Sequence, residues 1–235
     1  LEGKAQVGAG NGLMNRIWGN DVDNILDGGK NNDTMFGGLG NDTYLIRAPG
    51  DTVIEHSGQG IDVVRAFRSY ALEENVEQLH MQNLFTKSGL PANLNGIGNA
   101  LDNTIIGTPY ANTIIGREGR DTLKGQSGAD TFVFDRALGP DNVDRIIDFN
   151  TNTKLEGDIL QIKLSILGVK IMAGTLDPKH FVAGTNALDA DDYFVFDHLG
   201  GTLYFDADGS GKAAQQALAT FEQGALVTAA DILVF

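Results

Sequence analysis

Cysteine is absent from this sequence, so neither a disulfide framework nor thiol chemistry can be built from it. Positive charge is scarce as well. Only 17 Lys and Arg stand against 31 Asp and Glu, for a formal net charge of −14. That balance argues against nucleic acid and against anionic membrane as partners, and it suits hard cations, which bind oxygen. No apolar run approaches the roughly 18 residues of a membrane-spanning helix. Catalytic signatures are missing too. His56, His80, His180 and His198 form no HExxH site, no GxSxG occurs, and no glycine-rich loop carries a phosphate-binding lysine. The sequence is therefore read as non-enzymatic, with Asp177–Pro178 a lone bond of no motif. No secretory leader is visible and position 1 is Leu, so the chain is expected to be a piece of something longer.

What is present is hydrophobic content of 42%, enough for a core, and 31 glycines that recur at a fixed interval. Steps of nine from Gly10 give GNGLMNRIW, GNDVDNILD, GGKNNDTMF and GGLGNDTYL. A second block starting at Gly98 gives GNALDNTII, GTPYANTII, GREGRDTLK and GQSGADTFV, 88 residues further on. Position 6 of these nonads holds Asn15, Asn24, Asp33 and Asp42, then Asn103, Asn112, Asp121 and Asp130. Position 8 is apolar or aromatic throughout, from Ile17 and Leu26 to Leu123 and Phe132.

Glycine at the front of each nonad permits positive φ and a tight turn. The last three residues suit a short strand with its central side chain inward. Two nonads then complete one flattened coil, so residues 18 apart stack and position 6 forms a ladder along each edge. Stacked carboxylates repel unless a cation lies between them, and turn carbonyls supply the remaining oxygens of a Ca²⁺ shell. Gly29, Asn31, Gly38, Gly40, Gly119 and Gly128 are the turn residues expected to contribute them. The 18-residue rule stacks Asn15 on Asp33, Asn24 on Asp42, Asn103 on Asp121 and Asn112 on Asp130. It continues Asp33 to Asp51 and Asp130 to Asp148, while a two-residue slip through HSGQG carries Asp42 to Asp62. An Asn turn is compatible with a solenoid held by amide hydrogen bonds or with a metal ligand. Sites with two carboxylates, late in each block, are expected to bind best.

GGKNNDTMF and GGLGNDTYL resemble the RTX family, the haemolysin-type calcium-binding nonapeptide G-G-x-G-x-D-x-U-x, and GREGRDTLK and GQSGADTFV fit with one glycine replaced. The resemblance implies an all-β chain: a parallel β-roll in two stacked segments with a C-terminal β-rich cap, several bound Ca²⁺ ions and a secreted bacterial protein. The expected divisions are 1–60, the first nonapeptide block; 61–97, an inter-block continuation of the solenoid; 98–134, the second block; and 135–235, the cap with a type I secretion signal. ALEENVEQLH has helical spacing, yet it is similar to the inter-block segment of RTX proteins and is read as strand. DNVDRIIDFN with EGDILQI resembles the closing segment behind serralysin-type proteases. Its Asp144, Asp148 and Asp158 are either a further calcium site or turn carboxylates.

FVAGTN, DDYFVFD and TLYFDAD read as antiparallel strands. Asp206, Asp208, Ser210 and Gly211 match an EF-hand loop, but Ala217 stands where its glutamate belongs, so a hairpin turn is favoured. The terminal DILVF resembles the end of type I secretion substrates and also suits a core strand. Two functions follow from the resemblance. One is a calcium-folded secretion module served by the type I machinery. The alternative is a polysaccharide-binding module like those of alginate epimerases, with Arg65, Arg68, Arg117 and Arg120 as candidate contacts.

Overall fold

A nonad gives three residues to a strand and the rest to a turn, and a three-residue strand has no stability of its own. It persists only if strands stack by the dozen. The computed structural model describes residues 1–83, 93–150 and 157–235, and among these helix is confined to α1 (Leu164–Leu167) and two 3₁₀ turns. In the first part of the chain the strands are β1 (Val7–Ala9), β2 (Arg16–Trp18), β3 (Ile25–Asp27), β4 (Thr34–Phe36), β5 (Thr43–Ile46) and β6 (Thr52–Ile54). Then come β7 (Val63–Ala66), β8 (Tyr70–Ala71), β9 (Gln78–Met81) and β10 (Asn95–Ile97). The second block supplies β11 (Thr104–Ile106), β12 (Thr113–Ile115), β13 (Thr122–Lys124) and β14 (Thr131–Phe134). Beyond it lie β15 (Asp144–Ile146), β16 (Ile159–Ile162), β17 (Gly174–Thr175), β18 (Phe181–Ala183), β19 (Phe194–Asp197), β20 (Thr202–Phe205), β21 (Gln216–Phe221) and β22 (Ile232–Val234).

The chain alternates between two faces. One face is a single sheet in the order β1-β3-β5-β7-β9-β11-β13-β15-β21-β20-β19-β18, parallel as far as β21. The other face is divided into β2-β4-β6 and β17-β22-β16-β14-β12-β10-β8. The fold is thus a parallel β-roll, as expected, with the two blocks joined on one face and separate on the other.

Register explains the core. On the continuous face Leu26, Tyr44, Val64, Leu79, Ile105, Leu123, Ile146 and Phe221 stand opposite one another in consecutive strands. On the divided face the rows are Ile17, Met35 and Val53, then Ile114, Phe132, Leu160 and Ile232. Position 8 of every nonad falls in one of these rows. Period 2 within a three-residue strand leaves only that side chain facing inward. ALEENVEQLH contributes the end of β8, a turn and most of β9, and buries Leu72, Val76 and Leu79. Strand pairing overrides its helical spacing there. The part of the inter-block expectation over 84–92 lies outside the described residues.

In the last part of the chain one expectation changes and one holds. β19 and β20 are antiparallel, but β18 runs parallel to β19. The 3₁₀ turn before β18 and the loop after it return the chain to the same end of the sheet. DILVF forms the core strand it suits: β22 pairs in parallel with β16, and Ile232 and Val234 are buried. The Asp206–Gly211 segment lies in the connection of the antiparallel β20–β21 pair, where Asp208 Oδ2 accepts from the Lys212 and Ala213 amides. That is the favoured hairpin reading.

The rows predict a sharp contrast. Leu123→Ala removes a buried link and is expected to lower the unfolding free energy by about 2–5 kcal/mol, whereas Leu199→Ala, at a residue 95% exposed, is expected to change it by less than about 0.5 kcal/mol. Urea unfolding in millimolar calcium measures both.

Candidate metal centre

The eight nonads divide into two structural classes. In the four with Asp at position 6, positions 2 and 4 are both left-handed: Gly29 and Asn31, Gly38 and Gly40, Arg117 and Gly119, Gln126 and Gly128. The four Asn nonads have no left-handed residue. Arg117 (φ 77°) and Gln126 (φ 74°) hold this conformation without being glycine, at roughly 1–2 kcal/mol apiece. Position 1 is glycine for a different reason. A Cβ on Gly116 would come 2.1 Å from Asp121 Oδ2, because the aspartate curls back over the start of its own turn.

Backbone amides build the ladders. Asn15 N–H donates to Asp33 Oδ1 at 2.7 Å and Asp33 N–H to Asp51 Oδ1 at 3.0 Å. On the other edge Asn24 N–H donates to Asp42 Oδ1 (2.6 Å) and Asp42 N–H to Asp62 Oδ1 (2.8 Å). The HSGQG slip is real, since the last pair is 20 residues apart. In the second block Asn103 N–H donates to Asp121 Oδ1 (2.7 Å) and Asn112 N–H to Asp130 Oδ1 (2.8 Å). Each step uses one carboxylate oxygen.

The other oxygen separates the classes. Oδ2 of Asp33, Asp42 and Asp121 is buried without a hydrogen-bond partner. Such an atom costs free energy unless something compensates it. In the Asn turns the amide closes on the backbone instead. Asn15, Asn24, Asn103 and Asn112 each accept at Oδ1 from the position 2 amide, at 2.6–2.8 Å. Asn24, Asn103 and Asn112 also donate to main-chain carbonyls. The residues present thus fit a cation at the Asp33, Asp42 and Asp121 turns, where a carboxylate oxygen lacks a partner, while the Asn turns are satisfied without one.

One stacking expectation is overturned. Asp130 N–H donates to Asp158 Oδ1 at 2.9 Å, not to Asp148. The 18-residue rule assumes two nonads per coil, and beyond Phe134 the coils lengthen. Thr122 pairs with Arg145, 23 residues on, and Thr131 with Ile159, 28 residues on. Asp144 therefore follows Asp121 (3.1 Å) and Asp158 follows Asp130. Asp148 accepts from the Gly125 and Gln126 amides. Asp51 and Asp158 likewise take backbone amides on their second oxygens, from Arg47 and Ala48 and from Asn150. They finish their ladders as turn brackets.

Sequence reasoning left Asp158 open between a further calcium site and a turn carboxylate, and missed Glu55 and Glu77 altogether. Glu77 accepts from the Asp62 amide at 2.8 Å, ending the ladder with a longer side chain. No nonad spacing signals it. The candidate arginines Arg65, Arg117 and Arg120 have different local settings. Arg65 is on β7, Arg120 is paired with Asp141, and Arg117 lines a groove with Arg136. Asp177 caps the 3₁₀ turn at Pro178–His180 through the Lys179 amide.

Comparison with known families fits this geometry. A family model of the RTX calcium-binding nonapeptide repeat matches residues 9–44 and 97–132. The chain carries RTX calcium-binding repeats. No curated protein shows a significant match to it. The RTX segments coincide with the two ladder-bearing blocks, and the chain is a calcium-binding β-roll module.

Electrostatics in the RTX roll follow from burial. Desolvation pushes Asp42 up to about 6, Asp62 up to about 7 and Asp158 up to about 6, with neighbouring carboxylates adding to the rise. Asp33, Asp121 and Asp144 are raised for the same leading reason. A carboxyl raised in the folded state holds its proton more tightly there than in the unfolded chain. Its stabilisation is complete below the ordinary carboxylate value near 4 and is lost as pH rises through about 6–7. Calcium-stripped protein is therefore expected to lose stability between about pH 4 and pH 7, read by circular dichroism and urea midpoints. Saturating calcium, which competes with those protons, removes the loss at neutral pH.

The two turn classes make a further prediction. Asp33→Ala or Asp121→Ala removes an unpartnered buried oxygen and is expected to weaken calcium binding at its turn by at least tenfold. Asn15→Ala leaves the Asn15 N–H ladder bond in place and should change affinity less than threefold. Calorimetric titration of the three variants distinguishes these outcomes, and equal losses in all three contradict the division.

Proposed function

We propose that this RTX roll is a folding module that stays open where calcium is scarce and closes outside the cell, as the C-terminal folding and secretion domain of a larger extracellular protein. The carrying observation is the unpartnered buried oxygen at the same register of Asp33, Asp42 and Asp121. Without a cation these ladders concentrate like charge on edges held by three-residue strands. Ordering such a chain costs roughly 1–2 kcal/mol per residue in backbone entropy. With the Asp carboxylates and turn carbonyls sharing cations, binding free energy becomes folding free energy. Sites of this extracellular class work at roughly 10⁻⁴–10⁻³ M calcium.

Type I export is part of the same reading. Ile232 and Val234 of DILVF are buried in the folded roll, so export machinery reads that segment only in the open chain. The absence of cysteine suits a protein cross-linked by metal outside the cell. The reading assigns the chain no reaction. Its test is circular dichroism of calcium-stripped protein in EGTA, then in millimolar CaCl₂ or MgCl₂. Calcium is expected to restore the β spectrum, whereas Mg²⁺, reluctant to exchange water for carbonyls, is not. A fully folded protein in EGTA overturns the switch.

A further inference from the structure

One residue breaks the repeat where the divided face is interrupted. Position 1 of the stacked turns runs Gly19, Gly37 and then, 18 residues on, Glu55. Its side chain turns inward over Gly37. A Cβ on Gly37 would come 2.1 Å from Asp42 Oδ2 and from the Tyr44 hydroxyl, and 2.3 Å from Glu55 Oε1. Carboxylate oxygens of Asp42, Glu55 and Asp62 lie within 4.8 Å of one another. The three residues are 0%, 5% and 1% exposed.

Two observations independent of the clustering point to a ligand. Asp42 Oδ2 and Glu55 Oε2 are buried and have no hydrogen-bond partner. Among the described residues, none of the three carboxylates forms an ion pair. Up to three negative charges are therefore enclosed with no basic side chain beside them, an arrangement that a cation would offset. The spread of oxygens also fits. Separations within 4.8 Å are compatible with oxygens around one Ca²⁺, whose ligands on opposite sides are about 4.6–5.2 Å apart. The Tyr44 hydroxyl donates to Glu55 Oε1 and so fixes the glutamate while leaving Oε2 available.

We propose that Glu55 joins Asp42 and Asp62 in a three-carboxylate Ca²⁺ site at the end of their ladder, oriented by Tyr44, that ties the end of β6 on the divided face to the β5 and β7 turns on the continuous one. It differs from a repeat site in kind: Glu55 and Tyr44 hold no ligand position of the nonapeptide. It shares Asp42 and Asp62 with the calcium ladder and to that extent rests on the calcium reading. The test therefore turns on the two residues that the ladder does not use.

The experiment is calorimetric calcium titration of the full chain, wild type against Glu55→Gln, with Asp33→Ala as a repeat-site control. Glu55→Gln is expected to lose one ion, or to weaken one class of site at least tenfold, while the remaining sites keep wild-type affinity. In calcium-free buffer the same variant is expected to be no less stable than wild type, because one of three clustered charges is gone while Gln still accepts from Tyr44. Tb³⁺ luminescence excited through tyrosine gives a second reading, and Tyr44→Phe is expected to reduce it several-fold at unchanged Tb³⁺ stoichiometry. Wild-type calcium stoichiometry and affinity in Glu55→Gln overturn the site, and so does equal weakening of every site. Neither result requires the roll to unfold in EGTA, so the site and the folding switch fail separately.

Discussion

Each position 6 amide points out of its own coil, and a carboxylate from the next coil accepts its proton. The other features of the turns follow from that bond. Because Oδ1 is committed to the neighbouring backbone, Oδ2 of the same aspartate is turned into its own turn, over the position 1 glycine. A side chain there would occupy the space of the oxygen, so glycine is required for room and not for its φ. The left-handed residues at positions 2 and 4 shape the turn around the same oxygen, and they occur only where position 6 is Asp. With Asn at position 6 the turn relaxes and the amide satisfies itself. One atom, NH₂ in place of O⁻, separates a turn that closes alone from one that needs a cation.

This makes stability quasi-one-dimensional. Each strand is held by the strands before and after it through one inward side chain and a few hydrogen bonds. The Asn turns come first in each block and the Asp turns follow, so each metal-dependent segment is stacked against coils already closed by amides. At the far end the antiparallel run from β21 to β19, with β18 parallel beside β19, ends the long sheet, while β16 and β22 extend the divided face. The continuous face carries the coil across the point where the other face breaks, and Glu55 and the Asp62 turn lie beside that break.

Much of this was legible in the sequence because the repeat is local. Nine-residue spacing fixed which residues face inward, which stack at 18, and which turns carry Asp. All four Asn-to-Asp steps, the Asp33–Asp51 step and the slip to Asp62 follow from counting along the chain. The helical spacing of ALEENVEQLH misleads because Leu72, Val76 and Leu79 are buried by neighbouring coils and not by each other.

What the sequence alone determined is therefore the nonad: its turn, its inward residue, its ladder of Asn and Asp side chains and, through them, a roll built on RTX calcium-binding repeats. What only the tertiary structure decided is where regular counting stops. Past Phe134 the coil length is set by closure of long connections, which local pattern does not encode, so Asp158 and not Asp148 took the place below Asp130. Likewise Glu55 is an ordinary acid until stacking places it over Gly37. Both depend on which residues the coil brings into contact across tens of positions, and that is fixed by the summed register of every strand between them.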